Sequence, residues 1–246
     1  MASRRVDYEP NRRLVLRRLR ALVADIGARG GVLPGEAQLA AQLGASRPTI
    51  RDALSHLEAQ GMILRRKGAD TLVNTAATDL AARIDLEVDF AEILKDAGFA
   101  AAVELLDAGA GHLDEREADL LAAERGATAI RTVKRWSADG QVVMVAIDLV
   151  PAADRPVSVD YTQPIFDIAR AITNEDIAWE VACPGAVAAT GPIAAWLDLP
   201  EGKPVWTLER VGLGRTGRRS FLATEYHLPS GIRYGFVRPF HARTRR

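Results

Sequence analysis

The segment from Leu33 to Val73 constrains the fold of this chain more than any other stretch. It reads LPGEAQLAAQLGASRPTIRDALSHLEAQGMILRRKGADTLV. Pro34 and Gly35 predict a turn before a helix, and Glu36 places a negative charge in the first helical turn, where the helix dipole favours it. Gly44 predicts the end of that helix through a left-handed cap. The apolar positions of the helix predict one buried stripe, formed by Leu39, Ala40 and Leu43.

A second helix is predicted directly after this turn. Ser46 is a favourable N-cap residue because its hydroxyl oxygen can accept a hydrogen bond from a free backbone N–H, and Pro48 suits the first turn. Gly61 predicts the end of this helix. Apolar residues at i, i+3, i+4 and i+7 predict a core-facing stripe made of Ile50, Ala53, Leu54 and Leu57. The polar residues near the N-terminal end lie on other faces; they are Arg47, Thr49, Arg51 and Asp52.

Two short strands are predicted next, at 62–66 and 71–73, around a tip with the sequence KGAD at 67–70. Helix, turn, helix and basic hairpin together predict a winged helix-turn-helix. In such a domain the N-terminal residues of the second helix enter the DNA major groove. The hairpin tip can reach the sugar-phosphate backbone or the minor groove. The same outline also occurs in small packed domains that never contact DNA.

The distribution of charge favours the DNA-binding interpretation. Residues 1–75 carry 13 Lys/Arg and 7 Asp/Glu, a net charge of +6, whereas the remainder carries 19 and 25, a net charge of −6. The formal net charge of zero is therefore a cancellation between two halves of opposite sign. Because the basic half coincides with the motif, double-stranded DNA is the predicted partner.

These motifs resemble the GntR family of bacterial transcription regulators, whose pattern runs LPSE, then SR-x-T-[VI]-R-x-A-L, then LE-x-x-G, then a G-x-G-T wing. The chain matches it with LPGE at 33–36, SRPTIRDAL at 46–54 and LEAQG at 57–61. The resemblance implies operator contacts from Ser46, Arg47, Thr49, Arg51, Lys67 and Gly68. Two departures predict a changed or weakened wing contact: Ala37 replaces a frequent arginine, and Asp70 replaces the second wing glycine.

Length and composition are typical of a two-domain soluble protein. With 246 residues and 48% hydrophobic content, the chain can form two cores. The basic N-terminus lacks a continuous apolar stretch, so no signal peptide is predicted, and no run approaches the roughly 18 apolar residues of a membrane helix. The single Cys183 and four scattered histidines offer neither an internal disulfide nor metal-ligand spacing. We therefore expect a cytoplasmic protein without a cofactor.

The sequence pattern changes after residue 75. We expect a winged helix-turn-helix domain at 1–75, a linker at 76–87 and a second domain at 88–246. Asp139-Gly140 is a strong tight-turn signal between two apolar runs, and a second hairpin is predicted around 215–217. A final strand at 233–240 is expected to close the sheet. Because hairpins dominate, the second domain is predicted to be α+β with a mainly antiparallel sheet.

This order of elements, with ADG at 138–140 and a G-to-Y ending at 217–234, resembles the UTRA effector-binding domain of the HutC-type branch of GntR regulators. The resemblance covers most of residues 88–240. It implies a chorismate lyase-like fold that binds a small molecule, and a homodimer in which ligand occupancy resets the geometry of the two DNA-binding heads. Two-fold symmetry of the protein implies a palindromic operator.

The ligand pocket that this resemblance implies differs from that of sugar-phosphate-binding relatives. Lys134 and Trp136 stand where those relatives have two arginines, and Ala146 replaces a glutamate, with Asp148 two residues further on. The candidate effector-binding residues are Lys134, Trp136, Asp148, Tyr226 and Arg233. Lys134 can meet an anion and Trp136 can stack on a flat ligand, which favours a less phosphorylated, more apolar or aromatic effector. Simple packing roles for Trp136 and Asp148 stay open.

Three functions remain open at this stage. The first is a homodimeric, sequence-specific repressor released or modulated by a small-molecule effector. The second is an effector-independent repressor whose C-terminal domain only dimerises. The third is a lyase-like enzyme, because the implied fold also houses a lyase. A fold does not imply chemistry, and the sequence supplies no Ser/His/Asp arrangement or metal cluster, so we expect no catalytic residues.

Overall fold

The computed structural model describes residues 8–66, 68–80, 82–85, 89–152, 159–228 and 232–238. These residues form two compact units. Unit 1 contains the described residues up to 85 together with 232–238, and unit 2 contains residues 89–228. Among the helices of the described residues, none has both the length and the apolar composition needed to cross a membrane.

Unit 1 is a small helical domain with a short sheet. Its main helices are α1 (Tyr8–Ala28), α2 (Glu36–Leu43) and α3 (Arg47–Ala59). Its antiparallel sheet has the order β1-β3-β2, formed by β1 (Val32–Leu33), β2 (Ile63–Leu64) and β3 (Thr71–Val73). The winged helix-turn-helix predicted from the sequence is confirmed. Strand β1 was not predicted, because two residues just before the predicted turn are too few to show an alternating pattern.

The core of unit 1 follows the predicted apolar stripes. Side chains from each helix and from β2 are fully buried in one cluster, which contains Leu19, Leu39, Ile50, Leu57 and Ile63. Helix α2 ends at Gly44, whose φ of 62° is the left-handed conformation expected of a glycine cap. Ser46 is the N-cap of helix α3, and its side chain accepts a hydrogen bond from the Thr49 amide. Both boundaries agree with the sequence-based prediction.

The C-terminal segment belongs to unit 1, which corrects one prediction. We expected a strand at 233–240 to close the sheet of the second domain. Instead β11 (Tyr234–Gly235) pairs in parallel with β4 (Ala82–Arg83), just after the short helix α4 (Thr75–Thr78). The backbone amide of Ile84 donates to the Gly235 carbonyl oxygen at 2.9 Å. A strand of two residues is too short to show an alternating pattern, so the sequence does not reveal which strand β11 pairs with. Residues 239 and 240 of the predicted strand lie outside the described residues.

Unit 2 is built on a six-stranded antiparallel sheet with the order β5-β6-β7-β10-β9-β8. The strands are β5 (Ala101–His112), β6 (Thr128–Ala138), β7 (Gln141–Pro151), β8 (Ile177–Ala188), β9 (Pro204–Gly214) and β10 (Arg219–His227). The helices are α5 (Phe90–Asp96), α6 (Glu115–Leu121), α7 (Ile165–Thr173) and α8 (Gly191–Trp196). Asp139 and Gly140 both have positive φ, as the predicted tight turn between β6 and β7 requires. The predicted α+β class is confirmed.

Helices cover both faces of this sheet. Helix α7 packs on one face, hereafter the α7 face, against Val150, Phe221 and Ala223. Helices α6 and α8 pack on the opposite face, hereafter the α6/α8 face. Because successive residues of a strand point to opposite faces, the register of the strands assigns every side chain of the sheet to one face or the other.

Candidate nucleic-acid interface and ligand site

The first turn of α3 combines a helix cap with two exposed cations. The Ser46 hydroxyl lies 2.8 Å from the Thr49 hydroxyl and accepts from the Thr49 amide at 3.3 Å. Thr49 is only 7% exposed, so its side chain is occupied with the cap. Arg47 and Arg51 lie on the solvent side. The structure therefore brings together all four predicted residues of the recognition helix, and both arginines are exposed to solvent.

Glu36 is a residue of this surface that sequence reasoning missed. Its carboxylate accepts hydrogen bonds from Arg51 Nη2 at 3.0 Å and from Arg65 Nη2 at 3.1 Å. The hydrogen bond from Arg51, helped by the charges of Arg51, Arg65 and Arg47, holds the pKa of Glu36 below its ordinary value. The sequence assigned Glu36 only to the start of α2. Its partners Arg51 and Arg65 are 15 and 29 residues away along the chain, so no short sequence pattern predicts these contacts.

The wing tip is partly described. Gly68 is exposed with a φ of 74°, a conformation that disfavours any residue with a Cβ atom. Asp70 is also exposed, and its predicted weakening of wing contacts with phosphates stays a prediction. Lys67, the other predicted wing contact, lies outside the described residues.

Three of the predicted effector residues lie together on the α7 face. The register pairs Lys134 with Ala146, and Trp136 and Asp148 each lie two residues along their strands. Lys134 Nζ is 3.1 Å from Asp148 Oδ2 and donates to the backbone oxygen of Gln163 at 2.8 Å. Lys134 is 1% exposed and Asp148 3% exposed. This ammonium group is therefore largely satisfied from within the protein.

Trp136 differs from Lys134 in having an unused polar atom. Its side chain is 7% exposed, and its indole Nε1 is buried without a hydrogen-bond partner among the described residues. The Lys134 ammonium lies 5.9 Å from the centre of its ring. A buried N–H that makes no hydrogen bond costs free energy, so this position is suited to an acceptor supplied by a bound molecule.

A second buried polar cluster lies on the α7 face and was not identified from the sequence. Arg210 donates to Glu180 from Nε at 2.9 Å and from Nη2 at 2.6 Å, and its Nη1 bonds Glu225. His227 Nε2 lies 3.0 Å from the other oxygen of Glu225. The Trp206 ring stacks on His227 with ring centres 4.1 Å apart. These residues come from three strands, β8, β9 and β10, so the register between the strands is needed to show that they meet.

The pKa values in this cluster reflect competition between burial and charge. Burial is the largest influence on Glu225 and alone would raise its pKa. The Arg210 charge and the hydrogen bonds from His227 and Arg210 outweigh burial and hold the pKa of Glu225 at about 2. Burial alone would lower the pKa of Arg210, but the charges of Glu225 and Glu180 and their hydrogen bonds outweigh burial and raise it. Arg210 and Glu225 therefore form an ionised, hydrogen-bonded pair at neutral pH.

The remaining two predicted effector residues lie elsewhere. Tyr226 pairs with Val145, the neighbour of Ala146 on β7. Because adjacent residues of a strand point to opposite faces, Tyr226 points to the α6/α8 face. There it lines a cleft of about 490 Å³ together with Arg116 and Arg131. Arg233 is an exposed residue of unit 1. The structure thus separates the five predicted residues into a group of three on the α7 face and two outside it.

Comparison with known families matches both parts of the chain. The family model described as "Bacterial regulatory proteins, gntR family" matches residues 9–73. The model of the UTRA domain matches residues 96–230, which is more than half of the chain. The two matches fall on the winged helix-turn-helix and on the six-stranded sheet respectively.

Individual relatives agree with these matches. The HTH-type transcriptional regulator Rv0792c of Mycobacterium tuberculosis is 23% identical over 222 residues, covering 86% of this chain and 79% of its own length. An operon regulatory protein of Escherichia coli is 44% identical over 57 residues; that match covers 23% of this chain and only 22% of the relative.

Solved structures reproduce the fold. YydK of Bacillus subtilis has a TM-score of 0.69 at 15% identity, covering 94% of this chain and 99% of that one. PhnF of Mycobacterium smegmatis has a TM-score of 0.56 at 23% identity, covering 87% and 93%. At these identities the likeness concerns the fold alone.

Breaking the Lys134–Asp148 pair is expected to destabilise unit 2. Lys134→Met leaves the Asp148 carboxylate buried without its counter-charge, which costs about 3–5 kcal/mol. The double variant Lys134→Met/Asp148→Leu removes both charges and should recover most of that loss. Urea denaturation of the wild type, both single variants and the double variant gives the coupling free energy. If the losses of unfolding free energy in the two single variants add up to the loss in the double variant, the two side chains do not stabilise each other.

Acid should weaken unit 2 through Glu225. Its pKa in the folded state, about 2, lies below its ordinary value of 4.5, so its contribution to stability is complete above that ordinary value and is lost as the pH falls towards 2. Glu225→Gln is expected to lower the free energy of unfolding at neutral pH and to flatten its decline between about pH 5 and pH 2. The control is Glu115→Gln, at an exposed carboxylate. If the two variants follow the same pH profile, Glu225 does not make this contribution.

Proposed function

Because the chain belongs to the GntR family of bacterial regulatory proteins and carries a UTRA domain, we propose that it is a homodimeric, sequence-specific repressor whose DNA binding is modulated by a small molecule. The family model is one of bacterial regulatory proteins and the relative Rv0792c is a transcriptional regulator, which supports a regulator and not an enzyme. DNA binding follows from the family. The dimer, the palindromic operator, the repressor role and the effector are parts of the proposal.

The observation that carries the DNA-binding proposal is the presentation of Arg47 and Arg51. Both are exposed at the N-terminal end of α3, the part of a recognition helix that meets base edges and phosphates. The buried stripe of α3 fixes which side of the helix faces outward. The net charge of +6 on residues 1–75 adds a general attraction to the phosphate backbone.

A homodimer is proposed because one head offers a single recognition helix. Two heads related by two-fold symmetry would read two half-sites about one helical turn apart, which makes the operator palindromic. Both DNA and metabolic effectors are available in the cytoplasm, which is the proposed location. Light scattering gives the oligomeric state, and footprinting gives the symmetry of the protected site.

The effector is proposed to bind on the α7 face beside Trp136. The buried indole N–H calls for a hydrogen-bond acceptor, and the ring offers a flat apolar surface. Since Lys134 already contacts Asp148 and the Gln163 carbonyl oxygen, it has little capacity left for a phosphate. These contacts favour an uncharged or weakly anionic ligand with an aromatic or apolar body.

One observation also favours a second candidate function. The same internal satisfaction of Lys134 is what a domain without a ligand would require, because the buried charges of Lys134 and Asp148 are paired with each other. In that case unit 2 would serve only to dimerise the protein. Ligand binding is therefore the property that distinguishes the two candidates.

Arg47→Ala and Arg51→Ala are each expected to weaken specific binding by about 1–3 kcal/mol, the value of one good base contact. Fluorescence anisotropy with duplexes from the region upstream of the protein's own gene measures the effect. Arg125→Ala is the matched control, since it removes an exposed arginine of unit 2 that pairs with Glu115. Equal binding by the wild type and by both α3 variants would refute the assigned roles.

An effector is expected to raise the thermal stability of the protein. A metabolite present at 100 times its Kd adds about 2.7 kcal/mol of stability. Trp136→Phe keeps an aromatic ring but removes the N–H, so it should reduce the shift. Trp179→Phe, at a side chain that is 76% exposed, should leave it unchanged. If a broad metabolite panel moves neither the unfolding transition nor DNA affinity, the effector-independent function is the better description.

A further inference from the structure

Glu36 joins the recognition helix to the wing. Arg51 lies on α3, whereas Arg65 directly follows β2, and the two arginines share the Glu36 carboxylate. Each carboxylate oxygen has its own principal partner, Oε2 for Arg51 Nη2 at 3.0 Å and Oε1 for Arg65 Nη2 at 3.1 Å. Glu36, at the start of α2, thus links the surface of α3 to the wing.

The contact occupies only one side of the Arg51 guanidinium. Glu36 accepts from Nε at 3.3 Å and from Nη2 at 3.0 Å. Nη1 makes no hydrogen bond within the described part of the chain, and the Arg51 side chain is 62% exposed. The edge formed by Nη1 and Nη2 therefore still has donors to offer. Two such donors match the O6 and N7 acceptors of guanine in the major groove.

Fixing one side of an arginine has a cost and a benefit for DNA binding. A flexible arginine loses side-chain freedom when it meets a base, and an arginine that is already held loses less. The negative charge of Glu36, however, offsets one of the two positive charges of Arg51 and Arg65. It therefore reduces attraction to phosphates, which depends on charge and not on sequence.

We propose that Glu36 is a positioning residue for base recognition: it holds Arg51 so that its free edge reads a guanine, and it does so at the expense of non-specific affinity. The inference rests on the proposed DNA-binding function and adds a specificity-determining residue to it. It predicts opposite changes when Glu36 is neutralised. Discrimination between bases should fall while affinity for unrelated DNA rises.

The test is selection from a pool of duplexes with a randomised core, followed by affinity measurements on the selected duplex and on an unrelated duplex. In Glu36→Gln the guanine preference at one position of each half-site is expected to fall about tenfold, within the range of one bidentate contact. Binding to the unrelated duplex should strengthen. Its dependence on log salt should steepen by up to about 0.9, the value of one additional phosphate contact.

Two further variants separate positioning from charge and from folding. Glu36→Asp keeps the charge but shortens the reach, so it should lose guanine preference without gaining non-specific affinity. Glu58→Gln removes a neighbouring negative charge that lies 3.8 Å from Arg65, and should strengthen non-specific binding without changing base preference. Thermal unfolding of each variant verifies that the head is folded.

The possible failures are distinguishable. If the wild type selects no duplex, the DNA-binding function fails and the inference fails with it. If the wild type selects a sequence and both Glu36 variants retain the same guanine preference, the function stands and the inference is wrong. A loss of guanine preference in Glu58→Gln equal to that in Glu36→Gln would also overturn it, because a general charge effect would then suffice.

Discussion

The burial of one stripe of α3 determines how this protein can meet DNA. Ile50 and Leu57 are fully buried, and a helix whose apolar side is fixed in a core has only one side left for solvent. That side carries Arg47 and Arg51, and the cap formed by Ser46 and Thr49 fixes the start of the same turn. The reading surface is therefore a consequence of core packing and not a separate feature.

The sequence predicted those parts of the structure that depend on local order. Helix α3 could be placed because each of its signals belongs to the helix itself: apolar residues recur at helical spacing, Ser46 precedes the first turn and Gly61 follows the last. The hairpin at Asp139-Gly140 was predictable for the same reason. The Glu36 contacts were not, because an ion pair between distant segments depends on the packing of the elements that carry its members. The family resemblance identified the arginines but not the residue that holds one of them.

The candidate ligand site proposed on the α7 face was predictable only in part, and strand geometry explains where the prediction ended. Alternation along β6 and β7 correctly places Lys134, Trp136 and Asp148 on one face. Placing Tyr226 requires the register between β10 and β7, because a shift of one residue moves its side chain to the opposite face of the sheet. The Glu180–Arg210–Glu225 network spans β8, β9 and β10, and no spacing along the chain links its members. The fold of unit 2 could therefore be predicted from the sequence, whereas the set of side chains that meet on each face of its sheet could not.

The pairing of β11 with β4 gives the head a discontinuous sequence. The chain leaves unit 1 after residue 85 and returns to it at residue 232, so the two units are joined by two covalent connections. A fragment cut at residue 75 would retain the recognition helix but lose both β4 and β11, so the whole of unit 1 cannot be obtained from one continuous stretch of chain.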